Sequence, residues 1–100
     1  MNVSVDPKSD SLLESLEANH EFPGEYTFKA IGSNPESFAQ SVLSAIAAEL
    51  NLSNDPPHSV KHTPNGRHVS VTLTLTMETP QHVIKVYGRL QALDDLVMLL

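Results

Sequence analysis

Pro64-Asn65-Gly66-Arg67-His68-Val69-Ser70-Val71-Thr72-Leu73-Thr74-Leu75-Thr76-Met77 is the stretch on which the fold turns. Val69, Val71, Leu73, Leu75 and Met77 alternate without a miss against Ser70, Thr72, Thr74 and Thr76. A period of two predicts a strand with one apolar and one polar face, and the β-branched content suits a pleated surface. Asn65-Gly66 is a strong hairpin signal because both residues tolerate positive φ. His58 to Thr63 is therefore expected to pair back on His68 to Glu78. Loop parity decides which faces meet. A two- or four-residue loop sets Val60 opposite Val71 and Lys61 opposite Ser70, whereas a three-residue loop puts Lys61 against Val69 and a charge on the core face, so the even loop is expected.

Upstream of the hairpin, Asn51 to Pro57 holds Asn, Ser, Asp and two prolines and reads as a loop. Before it, Asn34 is a candidate N-cap with Pro35 at the first helical position, and Phe38, Val42, Ala45, Ile46, Glu49 and Leu50 follow at spacings of three or four. Only Glu49 breaks that helical stripe. Gly24 to Gly32 reads as another strand, with Tyr26, Phe28 and Ala30 on the buried face and Glu25, Thr27 and Lys29 on the other. A short helix is predicted from Ser11 to about Asn19, carrying Leu12, Leu13 and Leu16, with Ser11 and Glu14 placed as a capping box. Residues 1–10 read as a flexible terminus and residues 11–100 as one domain.

Downstream, Thr79-Pro80 repeats the cap-then-proline start, and Val83, Val86, Tyr87 and Leu90 form a second helical stripe that Asp94-Asp95 ends. The last strand, Leu96 to Leu100, is apolar at every position. Strand-helix-strand crossovers of the usual right hand then give a ferredoxin-like split β-α-β sandwich of class α+β. It is a four-stranded antiparallel sheet of order 4-1-3-2 with two helices on one face and a short N-terminal helix. Val69, Val71, Leu73, Leu75, Tyr26, Phe28, Phe38, Val42, Ile46, Val83, Val86 and Leu90 are the predicted core.

Phe22-Pro23 leading into Tyr26-Thr27-Phe28-Lys29-Ala30-Ile31-Gly32, then Asn65-Gly66-Arg67-His68-Val69-Ser70-Val71-Thr72, then Val83 with Val86-Tyr87 and Leu90, and the terminal Val97-Met98-Leu99-Leu100 resemble the YbeD-like family of small bacterial proteins. The resemblance spans roughly residues 16 to 100. It implies a fold similar to the regulatory ACT domains, which bind small effectors at dimer interfaces. It brings no established activity and no catalytic residues, so function follows from it only by analogy. The segment before Leu16 and the loop at Pro56-Pro57 depart from the family's pattern.

Composition excludes several functions. At 40% hydrophobic and 18% charged the chain is globular in character, and its 100 residues suffice for one core. Six basic against 12 acidic residues give a net charge of −6, which opposes a phosphate backbone, so no nucleic-acid partner is expected. The absence of cysteine removes disulfides, thiolate metal sites and thiol nucleophiles. Asp6, Lys8 and Asp10 stand where a secretion signal needs a basic region before an apolar run, and no stretch approaches 18 apolar residues. A cytoplasmic protein without membrane contact is expected. In that setting the acceptor patterns at Asn2-Val3-Ser4 and Asn51-Leu52-Ser53 carry no meaning.

No catalytic, cofactor or metal residues are expected. His58-x-x-x-His62 has helical ligand spacing, but on a strand residues four apart lie about 13 Å from each other. Asp94-Asp95 and Glu14 with Glu17 read as solvated acids, and no serine sits in a glycine-flanked elbow. The uncovered sheet face should present Thr27, Lys29, Lys61, Ser70, Thr72, Thr74 and Thr76. RNA-recognition domains of this topology stack bases on aromatics there, and this face has none.

Two readings of function follow. One is a non-catalytic regulatory or binding module that senses a small metabolite, with Gly32, Ser33 and Asn34 at a helix start supplying amides for a carboxylate. The other is a structural module that docks onto a partner enzyme or assembly without a ligand. A homodimer is expected in either, through Leu96, Met98 and Leu100 on the unprotected last strand with help from Leu12, Leu13 and Leu16. Simple alternation places Val97 and Leu99 inward and Leu96, Met98 and Leu100 outward. The alternative is that the N-terminal helix folds back over that patch within one chain.

Overall fold

Alternation, caps and turns produce seven elements in the order α1 (Pro7–Asn19), β1 (Gly24–Gly32), α2 (Phe38–Leu50), β2 (Ser59–His62), β3 (Val69–Met77), α3 (Pro80–Gln91) and β4 (Leu96–Leu99). The computed structural model describes residues 7–100. The strands form one antiparallel sheet in the order β2-β3-β1-β4, which counted from the opposite edge is 4-1-3-2. The class is α+β, with three helices and an open four-stranded sheet.

The hairpin register is the even one: Val60 lies opposite Val71, Lys61 opposite Ser70 and His62 opposite Val69. Its turn differs from the expected one. Gly66 takes positive φ (71°) but Asn65 does not. Instead the Gly66 amide donates to the Thr63 carbonyl (2.9 Å), with Pro64 at the turn position its fixed φ suits. The Asn65 side-chain oxygen accepts from the Arg67 amide (2.9 Å) and the Thr63 hydroxyl (2.8 Å). Asn65 thus closes the loop with its side chain rather than its backbone.

Two helix starts are corrected. α1 begins at Pro7, whose ring suits the first helical turn, so Ser11 lies inside the helix and the Ser11–Glu14 capping box is not its start. Residues 7–10, expected as flexible, are helical, and residues 1–6 lie outside the described residues. In α2, the amides of Ser37 (3.2 Å) and Phe38 (2.9 Å) both donate to the Asn34 carbonyl, forming a single turn. Ser37 then departs from helical geometry at φ −124°, and the continuous helix starts at Phe38. α2 ends on Asn51 in the left-handed conformation, its amide donating to the Ala47 carbonyl. α3 starts as the sequence predicts: the Thr79 side chain accepts from the His82 amide (3.2 Å) and Pro80 opens the helix.

Phe28 and Ala30 on β1, Val69, Val71, Leu73 and Met77 on β3, Phe38, Val42, Leu43 and Ile46 on α2, and Val83, Val86 and Leu90 on α3 are buried in one core. Of the predicted core, Tyr26 and Leu75 are only partly buried against it. Tyr26 meets Tyr87 hydroxyl to hydroxyl at 2.8 Å. Burial, reinforced by that bond, holds the Tyr87 phenol well above its ordinary pKa. α1 packs on α3, on the helical side of the sheet, and buries Leu16 there. Among the described residues nothing packs over the opposite face of the sheet.

Candidate functional site

Gly32 closes β1 and lies against the first residue of α2. A Cβ on Gly32 would fall among the ring atoms of Phe38, so the glycine is explained by close packing alone. The next amide, that of Ser33, donates to the Asp95 carbonyl (2.9 Å), and the Ser33 hydroxyl leans on the same oxygen (3.4 Å). Asn34 spends its carbonyl on the Ser37 and Phe38 amides. The adjacent groove, about 220 Å³, is lined by Phe38, Ser41, Ala92, Leu93, Asp94 and Asp95. Two carboxylates beside a spent Ser33 amide make a poor seat for a metabolite carboxylate.

The β4 edge is built differently from the simple alternation. Ala30 pairs with Leu99 and Ile31 with Met98, but Gly32 pairs with Leu96, a register shift between Ile31 and Gly32 that leaves Val97 as an extra residue. The bulge exchanges Leu96 and Val97 and keeps the expected facing of the rest: Leu96 and Leu99 pack on the core, while Val97, Met98 and Leu100 are 53%, 49% and 58% exposed. These are the most exposed large apolar side chains among the described residues. Leu16, expected to help cover them, is buried under α3, and Leu12 is partly buried beside the same core. The N-terminal helix therefore does not lie over the patch.

The open face carries a pattern that alternation alone did not reveal. Pairing places Lys61, Ser70, Ile31 and Met98 in one row across all four strands. The next row is Ser59, Thr72 and Lys29, with the Leu100 amide bonded to the Lys29 carbonyl (2.9 Å). Thr27 and Thr74 follow, hydrogen-bonded through their hydroxyls (2.9 Å), and then Glu25 opposite Thr76. An open concavity of about 430 Å³ lies at the lysine end, lined by Lys29, Ile31, Lys61, His62, Thr63 and Pro64 among others. Among the described residues neither lysine has a carboxylate within ion-pair distance. Ile31 was missed from sequence, although it shares the parity of Thr27 and Lys29.

The third cluster joins α2 and α3. Glu49, the break in the α2 stripe, receives Arg89 Nε at 2.7 Å and faces His82 Nε2 at 3.4 Å. The hydrogen bond from Arg89 holds the Glu49 carboxyl below its ordinary value, with the charges of Arg89, His82 and Lys85 acting in the same direction against partial desolvation. Glu49 is thereby a structural clasp between α2 and α3. Among the described residues no group of three metal-ligating side chains converges. His58 bonds the Pro56 carbonyl (2.9 Å), and His62 lies four strand positions away.

The chain matches a family described as "Protein of unknown function (DUF493)" over residues 17–100. It belongs to the DUF493 family. A UPF0250 protein of Shewanella frigidimarina (strain NCIMB 400) is 35% identical over 74 residues, which cover 74% of this chain and 82% of its own. The YbeD-like resemblance read from the sequence is thus borne out. The DUF493 match takes in the sheet, α2 and α3, and leaves out α1 up to Leu16. Neither description names an activity. Among the described residues, no helix is long and apolar enough to cross a membrane.

Proposed function

We propose that this DUF493 protein is a non-catalytic interaction module of ferredoxin-like plan that pairs with a second copy of itself through the free edge of β4. The observation that carries this reading is the cluster of Val97, Met98 and Leu100 on an edge with neither lysine nor proline. The opposite edge, β2, holds Lys61 and follows Pro56-Pro57, the usual defences against strand addition. At β4 only the bulge protects.

A four-residue strand pairing with its copy offers about four backbone hydrogen bonds, each worth about 1 kcal/mol net. About 4 kcal/mol alone corresponds to a millimolar complex, so the exposed apolar side chains must supply the rest. A dimer in the micromolar range is the consequence. Sedimentation velocity at tens of micromolar should show the two-chain species, and Val97→Lys, on an exposed site, should return it to monomer. A wild-type chain that stays monomeric at every concentration refutes the proposal. The small-effector reading at Gly32, Ser33 and Asn34 has less support, because the Ser33 amide is spent on the Asp95 carbonyl and the neighbouring groove is acidic. A thermal-shift screen of amino acids and nucleotides separates it, since only a native-state ligand raises the melting temperature.

A further inference from the structure

We infer that the lysine end of the open sheet face binds an acidic amphipathic segment of a partner protein. The inference does not need self-association: its cations, Lys29 and Lys61, lie on the face inward of the β4 edge, and the strip shares with that edge only the apolar Met98 and Leu100.

Charge makes the first part of the case. The protein carries −6 overall, yet the strand residues of this end of the open face contribute two lysines and no acid. The one acid on that face, Glu25, is four strand positions from Lys29, or about 13 Å. Arg67 in the hairpin loop adds a third cation near the same end. An ammonium beside a part-buried isoleucine offers a partner a charge and an apolar contact together, and a carboxylate arriving with an apolar neighbour matches both.

Apolar surface makes the second. Ile31 and Met98 sit side by side in the row that begins at Lys61, and Leu100 follows beyond Lys29. The binding strip therefore reads cation, hydroxyl, apolar, apolar across the sheet.

Size and chemistry then choose among ligands. Three inter-strand spacings make the strip about 14 Å long, which matches about ten residues of helix and exceeds a small metabolite. Nucleic acid fits badly: the strand residues of the face include no phenylalanine, tyrosine or tryptophan for base stacking, and two or three cations do not offset the charge of an acidic protein against a polyanion. A protein segment with leucines on one side and carboxylates flanking them fits all the features together.

Fluorescence anisotropy tests this with a fluorescein-labelled amphipathic peptide of about twelve residues, in which leucines at helical spacing are flanked by glutamates. Its lysine-for-glutamate counterpart and an oligouridine of equal length serve as controls. The acidic peptide should bind, more weakly as salt rises, and the controls should not. Lys29→Glu with Lys61→Glu should weaken binding at least tenfold, and Ile31→Ser severalfold, with circular dichroism and melting temperature confirming the fold of each. No binding of the acidic peptide, equal binding of either control, or a lysine double variant that binds like wild type overturns the inference. Sedimentation of the same double variant separates this site from the β4 edge: a loss of self-association there would mean that the occupant is a second copy, and would also overturn it.

Discussion

Gly32→Ala isolates the close approach on which the junction of β1 and α2 depends. The methyl group would come within 2.5 Å of Phe38 Cδ2, where ordinary contact begins at 3.4 Å, an overlap of about 1 Å. Phe38 is fully buried and sits against Val42 and the strands, so its ring has nowhere free to turn. Gly32 does not have positive φ, so the backbone itself accepts alanine and the unfolded chain loses entropy, a gain of about 0.4 to 1 kcal/mol. Overpacking of this kind costs about 1 to 3 kcal/mol. The net expectation runs from near neutrality to a loss of about 2.5 kcal/mol, at the upper end several degrees or more in melting temperature for a domain this size. Urea denaturation with an unchanged m-value measures it. Phe38→Leu makes room for the added methyl, so the double variant should be less destabilised than the two single losses combined, by about 1 kcal/mol. A stabilising Gly32→Ala, or strict additivity with Phe38→Leu, would refute the packing account and return Gly32 to the list of ligand candidates.

Leu73→Ala, at a fully buried centre of β3, should cost about 2 to 5 kcal/mol in the same assay, and a loss below about 1 kcal/mol would contradict the assigned core face. Glu49 makes stability depend on acid: its folded pKa lies below its ordinary 4.5, so its contribution is complete above that value and is lost as pH falls through the folded pKa. The stability difference between wild type and Glu49→Gln should therefore shrink as the solution is acidified through and below the ordinary carboxyl value of 4.5, and a difference that holds constant on acidification would remove the Arg89 clasp as its cause.

Those elements whose signals are local were legible. β1, β3 and the Thr79-Pro80 start of α3 depend on alternation and on one capping residue, and they formed where those signals placed them. The hairpin register followed from keeping Lys61 off the core face. Helix starts were less legible because Pro7 and Ser37 compete with Ser11 and Asn34 as chemically similar candidates. Propensity does not rank such neighbours, and tertiary packing does. Glu49 looked like a flaw in the α2 stripe, and its partner Arg89 lies 40 residues away on another helix.

The candidate surfaces were hidden by a different cause, namely a single inserted residue. Alternation assigns Val97 and Leu99 inward, and it would be right for a regular ladder. The register shift opposite Gly32 resets the parity, so Leu96 and Leu99 go inward and Val97 joins Met98 on the exposed side. Gly32 permits that shift in the same place where it admits the Phe38 ring, which ties the edge chemistry of β4 to the packing of α2. The same register sets Met98 beside Ile31 and brings Leu100 to Lys29, so the mixed apolar and basic strip on the open face is a product of pairing and not of any one strand's sequence. A substitution that disturbs the Gly32–Phe38 contact should therefore alter the exposed edge as well as stability. Hydrogen exchange of the Leu100 amide, which is held by the Lys29 carbonyl, reports that coupling directly: Gly32→Ala should speed it more than it speeds the amides of the β2–β3 hairpin.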